Sequence, residues 1–381
     1  MARRLRLVYT AAAVVPVALL AACGSSGSSS SSSSPAAASS STAAAAGPAL
    51  PTAPPASTES ITETGSTLLF PLFGAWSTNY QKLYPQVTVT TAGTGSGTGI
   101  TDASTGTVSI GASDAYLSSA DVAKYPGLLN IPLAISAQQI NYNLPGVNNL
   151  KIDGSVLAKI YSGKITTWND PAIKALNPGA ALPSMKIIPL HRADSSGDTF
   201  LFTSYLNAQA PSNWSSANVN TAVSWPSVPG ALAETGNSGM VTGCAANKGC
   251  IAYIGVSYLQ KTQAAKLGEA SLKNAVGAYV QPTASSISAA AASFTAKTPA
   301  SETISMINGP AATGYPIVNY EYAIVQTKQS NAAQAETIRA FLHWAVHAGQ
   351  DAKTYLDSVN FQPLPSSVVA KSDAQIAKIG G

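Results

Sequence analysis

The sequence predicts an α/β protein with two folded lobes, and three observations support this prediction. The chain has 381 residues, which is more than one hydrophobic core usually serves. Hydrophobic residues make up 45% of it, enough to form sizeable cores. Strand-like apolar runs alternate with helical patterns along the chain, an order that is typical of α/β folds.

Short runs rich in β-forming residues are predicted to be strands. They lie at residues 87–91, 108–111, 186–189, 250–254 and 322–326. The clearest helix is predicted at 331–347, with Asn331 as its N-cap and Gly349 as its stop. Its buried face would consist of Ile338, Phe341, Leu342, Ala345 and Val346. Weaker helical patterns cover 155–161, 282–294 and 69–83, the last with an irregularity at Pro71.

Residues 1–22 are predicted to be an export signal that is followed by a lipidation site. Three arginines in the first six residues precede an apolar stretch at 7–20, which is too short to span a membrane. The stretch ends in Leu-Ala-Ala-Cys, the pattern of a bacterial lipobox, so Cys23 is expected to carry lipid, palmitate included. An ordinary secretory signal with a chance cysteine is the alternative.

Residues 23–58 are predicted to be a disordered tether. They are mostly Ser, Ala, Pro and Thr, including an unbroken serine run at 28–34, and they offer almost nothing to bury. The tether would let a folded part that begins near Glu59 stand off from the membrane. We therefore expect the protein in the cell envelope, anchored to the outer face of the cytoplasmic membrane.

The charge balance argues against nucleic acid as a partner. The net charge is +4, but three of the 21 basic residues lie in the leader, which has no acidic residue, so 18 remain against 17 acidic residues. A nearly neutral protein has no electrostatic footprint for nucleic acid. Whatever the protein binds must be recognised locally.

Cys244 and Cys250 are predicted to form a disulfide. They are six residues apart and would lie in an oxidising compartment. A zinc site is not expected there, because no second cysteine or histidine pair accompanies them.

Two glycine-containing segments could contact an anion. Residues 64–68 precede a predicted helix, whose free backbone amides and dipole favour negative charge, and Ser66 and Thr67 add hydroxyl donors. Residues 93–99 place a glycine at every second position after a strand, which lets several N–H groups point at one ligand. Simple N-capping and a flexible turn are the alternatives.

Two further polar segments follow predicted strands. Asp114 lies at the end of a strand, where open α/β sheets bind ligands. Residues 191–200 combine Arg192, hydroxyl groups and a glycine at a predicted helix start, and Asp194 is close enough in sequence to orient the guanidinium. A turn or cap aspartate and a charged surface loop are the alternatives.

Together these segments suit a small tetrahedral oxyanion that carries a proton. An ionised Asp114 can only accept hydrogen bonds, so it would repel sulfate and accept the P–OH group of phosphate. A site that leaves buried polar groups unpaired against the wrong ligand can discriminate by roughly 10⁴ or more.

The segments resemble, in order and spacing, the phosphate-binding proteins of bacterial phosphate ABC importers. The resemblance covers roughly residue 59 to the C-terminus and is greatest to the lipid-anchored mycobacterial and related actinobacterial members, the cysteine pair included. It rests on residues 63–72, 93–99, 111–115, 162–170, 191–200 and 361–365.

The resemblance implies the type II periplasmic-binding-protein fold, with hinge strands between two lobes and the ligand in the cleft. Lobe I would comprise 59–141 plus 314–381, and lobe II 142–313. It implies a monomer that binds inorganic phosphate tightly and hands it to the membrane permease of an ABC importer, with no cofactor, metal or catalytic residue. The implied contacts are Thr67, Leu68 through its backbone, Ser96, Asp114, Arg192, Ser196, Gly197 and Asp198, supported by Ser66 and Asp194.

Asp198 departs from the family pattern, in which threonine is common at this place. With Asp114 it would offer two acceptors, so the site is expected to tolerate dihydrogen as well as monohydrogen phosphate. The alternative is that Asp198 caps the helix at Thr199 and accepts one hydrogen bond from the ligand.

Other functions fit the sequence less well. Ser96 and Ser196 lack the Gly-x-Ser-x-Gly frame of a serine hydrolase, and no metal cluster or activated nucleophile indicates a phosphatase. His343 and His347 share a helix face, but no further ligand is evident in the sequence, so surface or packing roles are expected. A surface adhesin fits the anchor but not the polar segments, and binding of another tetrahedral oxyanion is opposed by the carboxylates.

Overall fold

The computed structural model describes residues 49–381. The strands are β1 (Glu59–Gly65), β2 (Val87–Gly93), β3 (Ile110–Ser113), β4 (Leu128–Tyr142), β5 (Lys151–Ile152), β6 (Ile188–Arg192), β7 (Leu232–Glu234), β8 (Cys250–Gly255), β9 (Gly268–Glu269), β10 (Ser271–Lys273), β11 (Tyr279–Val280) and β12 (Val318–Gln326). The helices are α1 (Phe70–Leu83), α2 (Ser96–Thr105), α3 (Ser119–Lys124), α4 (Gly154–Tyr161), α5 (Pro171–Leu176), α6 (Gly197–Gln209), α7 (Gly236–Ala246), α8 (Leu259–Ala264), α9 (Ala284–Ala292), α10 (Ala332–Val346) and α11 (Ser366–Ile376).

The strands form one large mixed sheet and one small sheet, which confirms the predicted α/β class. The large sheet has the order β2-β1-β3-β12-β4-β8-β6-β7, with β9 beside β4, and the small sheet has the order β11-β10-β5. β1 runs parallel to β2 and β3, and β6 runs parallel to β7 and β8. Within each of these two groups the strands end at the same edge, so the loops that follow them lie together.

The long strand β4 joins the two groups of parallel strands. All 15 of its residues are buried. It pairs with β12 from Leu128 to Ala137 and with β8 from Gln138 to Tyr142. One continuous strand therefore carries the chain from the β2-β1-β3-β12 group to the β8-β6-β7 group.

The predicted strands are all present, although two are displaced along the chain. The run at 108–111 forms a strand at Ile110–Ser113, and the run at 186–189 forms one at Ile188–Arg192. Pro71 does not disturb α1, because it lies in the first turn, where its missing N–H has no partner to lose.

Helix α10 confirms the predicted N-cap and buried face but not the predicted stop. The Asn331 side chain accepts a hydrogen bond from the N–H of Gln334 at 2.9 Å. The helix ends at Val346, with His347 as its C-cap, so the expectation that Gly349 stops it was wrong. The residues predicted to face the core are all buried: Ile338, Phe341, Leu342, Ala345 and Val346.

The predicted disulfide is present. Cys244 lies near the end of α7 and Cys250 begins β8, and their sulfur atoms are bonded across a Cα–Cα distance of 5.3 Å. The bond ties a helix to the strand that follows it, and both cysteines are buried.

The N-terminal predictions lie mostly outside the described residues. This applies to the export signal, to Cys23 and to the tether as far as residue 48. Residues 49–58, which the sequence analysis assigned to the tether, contact the folded part. The carbonyl of Thr52 accepts a hydrogen bond from Tyr84 and that of Pro55 accepts one from Gln86, each at 3.2 Å, and Pro54 is buried. Between residues 49 and 381, no helix combines the length and apolar character that a bilayer span requires.

An aromatic cluster packs α1 against α10. Trp76 is fully buried, lies edge-on to Phe73 and Trp344, and donates its indole N–H to the carbonyl of Gly349 at 3.0 Å. The cluster stabilises α1 and therefore the polar segment that connects β1 to this helix.

Replacing Trp76 by alanine is expected to lower the free energy of unfolding by about 3–5 kcal/mol, because it leaves a large cavity and an unpaired carbonyl. Leu83, on the same helix, is 58% exposed, and Leu83→Ala should stay within about 0.5 kcal/mol of the parent. Chemical denaturation of both variants checks this. Equal stability of the two variants would contradict the proposed packing role.

Candidate anion-binding site

The four polar segments predicted from the sequence lie after the ends of their strands and contact one another. They follow β1, β2, β3 and β6, and direct contacts connect them. The residues expected to contact the ligand are all buried: Thr67, Leu68, Ser96, Asp114, Arg192, Ser196, Gly197 and Asp198. This buried region is therefore polar, and burial of polar groups costs free energy unless they form hydrogen bonds.

Asp114 is held by two serine hydroxyls. Ser66 Oγ donates to Asp114 Oδ1, and Ser96 Oγ donates to Asp114 Oδ2 at 3.3 Å. Ser66 Oγ also accepts from the N–H groups of Leu68 and Leu69 at 3.1 and 3.0 Å, so it holds the turn that precedes α1. The N-cap position of α1 is Leu69, which makes no side-chain cap, so simple N-capping by this segment is not observed.

Arg192 is fixed by two carboxylates at the end of β6. Its side chain is only 1% exposed. Arg192 Nε donates to Asp194 Oδ1 at 2.7 Å, while a second guanidinium nitrogen contacts the other oxygen of Asp194. Its third nitrogen donates to Asp198 Oδ2 at 2.6 Å. These charge-assisted contacts fix the plane of the guanidinium.

Asp198 lies inside the first turn of α6 and does not cap it. Ser196 is the N-cap residue of that helix, so the alternative in which Asp198 caps the helix was wrong. The Asp198 carboxylate accepts from Gln138 Nε2 at 3.1 Å and from Asn237 Nδ2 at 2.7 Å, in addition to Arg192. It is completely buried, and three hydrogen-bond donors contact it.

Sequence reasoning missed Gln138 and Asn237. Asn237 Nδ2 also donates to Thr67 Oγ1 at 2.9 Å, and its backbone N–H donates to the same oxygen at 3.1 Å. It therefore joins the segment after β1 to Asp198. A signal was present, because Thr-Gly-Asn-Ser-Gly at 235–239 follows strand β7 in the same manner as the recognised segments. Gln138 gave only the weaker signal of a polar pair inside an apolar strand.

The two sides of the site approach each other closely. The N–H of Gly97 donates to the carbonyl of Ser195 at 3.0 Å. A Cβ atom at Gly197 would lie 2.5 Å from Asp114 Oδ2 and 2.6 Å from Ser96 Oγ, so no larger residue fits there. Ser196 Oγ is buried and finds no hydrogen-bond partner among residues 49–381, and such an orphaned hydroxyl indicates a place for a ligand.

The site holds more acidic groups than basic ones, so protons must be retained. Burial, together with the charge of Asp198, raises the pKa of Asp114 to about 7. Burial and the charge of Asp114 raise the pKa of Glu321, on β12, well above its ordinary range. Burial also raises the pKa of Asp198, although the Arg192 charge opposes this effect. Without a ligand, these buried carboxyl groups therefore hold protons at a higher pH than isolated carboxyl groups would.

Comparison with known proteins first defines the class. The PBP superfamily domain matches residues 35–348, most of the chain. The fold agrees with the solved structure of a high affinity periplasmic phosphate-binding protein (PfluDING) bound with phosphate. The TM-score is 0.66 at 22% identity, and the alignment covers 83% of this chain and 93% of that one. The two-lobed periplasmic-binding-protein fold is thereby established.

Curated relatives then give the family. The "Phosphate-binding protein PstS" of Pasteurella multocida is 33% identical over 83% of this chain and 90% of its own length. The "Phosphate-binding protein PstS 3" of Mycobacterium leprae is 28% identical over 81% of this chain and 84% of its own length. The chain belongs to the phosphate-binding protein PstS family.

The protonation of Asp114 should make the anion-free protein less stable as pH rises. The pKa of Asp114 is about 7 in the folded state and ordinarily 3.8, so from about pH 4 to pH 7 the folded protein holds a proton that the unfolded chain has released. Stability that depends on this group is complete below that window and is lost as pH rises through it.

Denaturation of anion-free protein between about pH 5 and pH 8 checks this sign. Asp114→Asn should flatten the decline, while Asp357→Asn, which changes an exposed carboxylate, should leave it unchanged. A decline of the same slope in Asp114→Asn and in the parent would show that Asp114 does not hold the proton.

Proposed function

We propose that the protein binds inorganic phosphate outside the cytoplasmic membrane and delivers it to an ABC phosphate importer. One observation carries this proposal. The buried guanidinium of Arg192 pairs with the buried carboxylate of Asp198. The buried carboxylate of Asp114, which accepts from two serine hydroxyls, lies against Gly197, the residue next to Asp198. The cation suits the charge of an oxyanion, and the carboxylates suit its protons. The phosphate-binding proteins to which the chain is similar agree with this assignment.

The proposed ligand contacts divide into donors and acceptors. Arg192 would supply the positive charge, and the unpaired hydroxyl of Ser196 would donate to a phosphate oxygen. Asp114 would accept the P–OH hydrogen, with Ser66 and Asp194 in supporting positions. The remaining proposed contacts are Thr67, the Leu68 backbone, Ser96, Gly197 and Asp198.

Selectivity would follow from the acceptor character of the carboxylates. An ionised, buried carboxylate paired with a phosphate P–OH gains a hydrogen bond, whereas sulfate presents only oxygen lone pairs at neutral pH. Sulfate would bind only with Asp114 protonated. Because the pKa of Asp114 is about 7, the proton needed for this becomes easier to supply as pH falls.

We place the two lobes on either side of β4 and β12, close to the expected bounds of 59–141 plus 314–381 and 142–313. The switch of β4 from β12 to β8 between Ala137 and Gln138 supports a boundary a few residues earlier than 141. Contacts such as Thr67 with Asn237 and Gly97 with Ser195 would then close the lobes on the ligand as a clamp.

We further propose that the chain acts as a lipid-anchored monomer. The leader at 1–22, Cys23 and the tether are the sequence features that support export and anchoring. The family membership supports a membrane permease as the partner that receives phosphate.

We infer that the protein binds its ligand without turning it over. Among residues 49–381, the hydroxyls of Ser96 and Ser196 have no hydrogen bond to a histidine that would activate them. The similar proteins are named for binding. Hydrolysis of a phosphoester by the purified protein would overturn this inference.

A soluble form beginning near residue 49 and stripped of anion should bind phosphate tightly and sulfate at least about 10⁴-fold more weakly at pH 8. The reason is that sulfate leaves Asp114 unpaired or forces it to take up a proton. Calorimetric titration with each anion measures the ratio. Similar affinities for both anions, or no heat with either, would exclude the proposed function.

Asp198 should preserve phosphate affinity at mildly acidic pH. A carboxylate offers about four acceptor positions, and three are used by Arg192, Gln138 and Asn237, so one remains for a second ligand proton. The dissociation constant should change less between pH 8 and about pH 6 in the parent than in Asp198→Thr, by at least about threefold. Titrations at both pH values decide this, and an equal loss in both proteins would show that Asp198 serves only Arg192.

A further inference from the structure

A cluster of two histidines and one aspartate lies on helices that contribute no residue to the anion site. His343 is on α10, His347 is its C-cap, and Asp373 is on α11. His343 Nδ1 lies 3.0 Å from Asp373 Oδ1, and His347 Nε2 lies 2.9 Å from Asp373 Oδ2. The two imidazole rings are tilted by 56° with centroids 4.3 Å apart.

The sequence predicts surface or packing roles for these histidines, because no further ligand is evident in it. In the structure, the third group is Asp373, which is 30 positions from His343 and 26 positions from His347 along the chain. One potential ligand atom from each of the three residues lies within 4.8 Å of the others. The packing of α10 against α11 therefore brings together three possible metal ligands whose proximity could not be predicted from their spacing in the sequence.

We propose that His343, His347 and Asp373 form a binding site for a divalent transition metal ion, with zinc as the ion the ligands suit best. Two imidazole nitrogens and one carboxylate oxygen form a ligand set typical of open zinc sites, in which a further position is left for water. His343 in the last turn of α10 and His347 at its C-cap are four positions apart and contact the same carboxylate, and zinc ligands often have this spacing.

The geometry needs only a small rearrangement to hold zinc. Bonds of about 2.0–2.2 Å in a tetrahedron place neighbouring ligand atoms roughly 3.3 Å apart. The two nitrogens lie 3.0 and 2.9 Å from different oxygens of Asp373, and one ligand atom from each residue lies within 4.8 Å of the others. Binding therefore requires the three ligand atoms to draw together by no more than about 1.5 Å. The side chains are 22%, 45% and 27% exposed for His343, His347 and Asp373, which leaves them room to rotate.

The surroundings admit an ion and its remaining ligands. A cavity of about 380 Å³ adjoins the cluster and is lined by His347, Asp373, Gln350, Leu364 and Val369 among others. This space can hold water on the open side of the metal. A bound ion would link α10 to the C-terminal helix α11, so binding would stabilise that helix pair.

Two hydrogen bonds between the imidazoles and one carboxylate are the simpler role for the same atoms. That role predicts no response to zinc, whereas the metal site predicts saturable binding of one ion. The two readings therefore separate experimentally without reference to phosphate binding.

The test uses a protein without an affinity tag, freed of metal with a chelator. Zinc titration in competition with a chromogenic chelator should show one site, and Co²⁺ should give the absorption bands of a low-coordinate ion with nitrogen ligands. His347→Ala and Asp373→Asn should each weaken zinc binding at least about tenfold. Glu336→Gln, which removes a carboxylate from the same helix outside the cluster, should retain the parent affinity.

Phosphate binding by each variant reports that it is folded, because the cluster is separate from the anion site. The Co²⁺ spectrum of the parent decides the matter even if a variant fails to fold. Absence of stoichiometric zinc binding in the parent, or binding that survives both ligand substitutions, would overturn the proposal and leave the hydrogen-bonded contact.

Discussion

The buried ion pair between Arg192 and Asp198 is the interaction on which the site depends. Removing two charges from water is costly, and the attraction between them offsets this cost only when the remaining hydrogen-bonding positions are filled. Here Asp194 occupies the free side of the guanidinium, and Gln138 and Asn237 occupy the free side of the carboxylate. Residues of β6, α6, α7 and β4 therefore all take part in the hydrogen bonds around this one ion pair.

This network also connects the anion site to the strand that joins the two halves of the sheet. Gln138 is the first residue of β4 that pairs with β8, and its side chain donates to both the backbone carbonyl and the carboxylate of Asp198. The residue at which β4 changes partners thus contacts the site directly. A change in the charge or position of Asp198 would alter the hydrogen bonds of Gln138, which lies where a hinge is expected.

Much of this arrangement could be predicted from the sequence, because it depends on local rules. Strand ends in α/β sheets gather polar loops, so the segments that contain Ser96, Asp114 and Arg192 are evident from their positions. The prediction that these three residues contact the ligand comes from the family resemblance. Gln138, Asn237 and Asp373 were missed because their roles arise from contacts between distant segments. The position of Asp198 within α6 was missed for a different reason, since helix starts are ambiguous by one or two residues where several polar residues adjoin.

The central claim is that Asp114 recognises a proton on the ligand. Asp114→Asn tests it most directly, because the amide has nearly the same shape but can donate as well as accept. Measured by calorimetry near pH 8, the ratio of phosphate to sulfate affinity should fall by at least about tenfold in this variant relative to the parent. An unchanged ratio would mean that selectivity arises elsewhere in the site and would contradict the account.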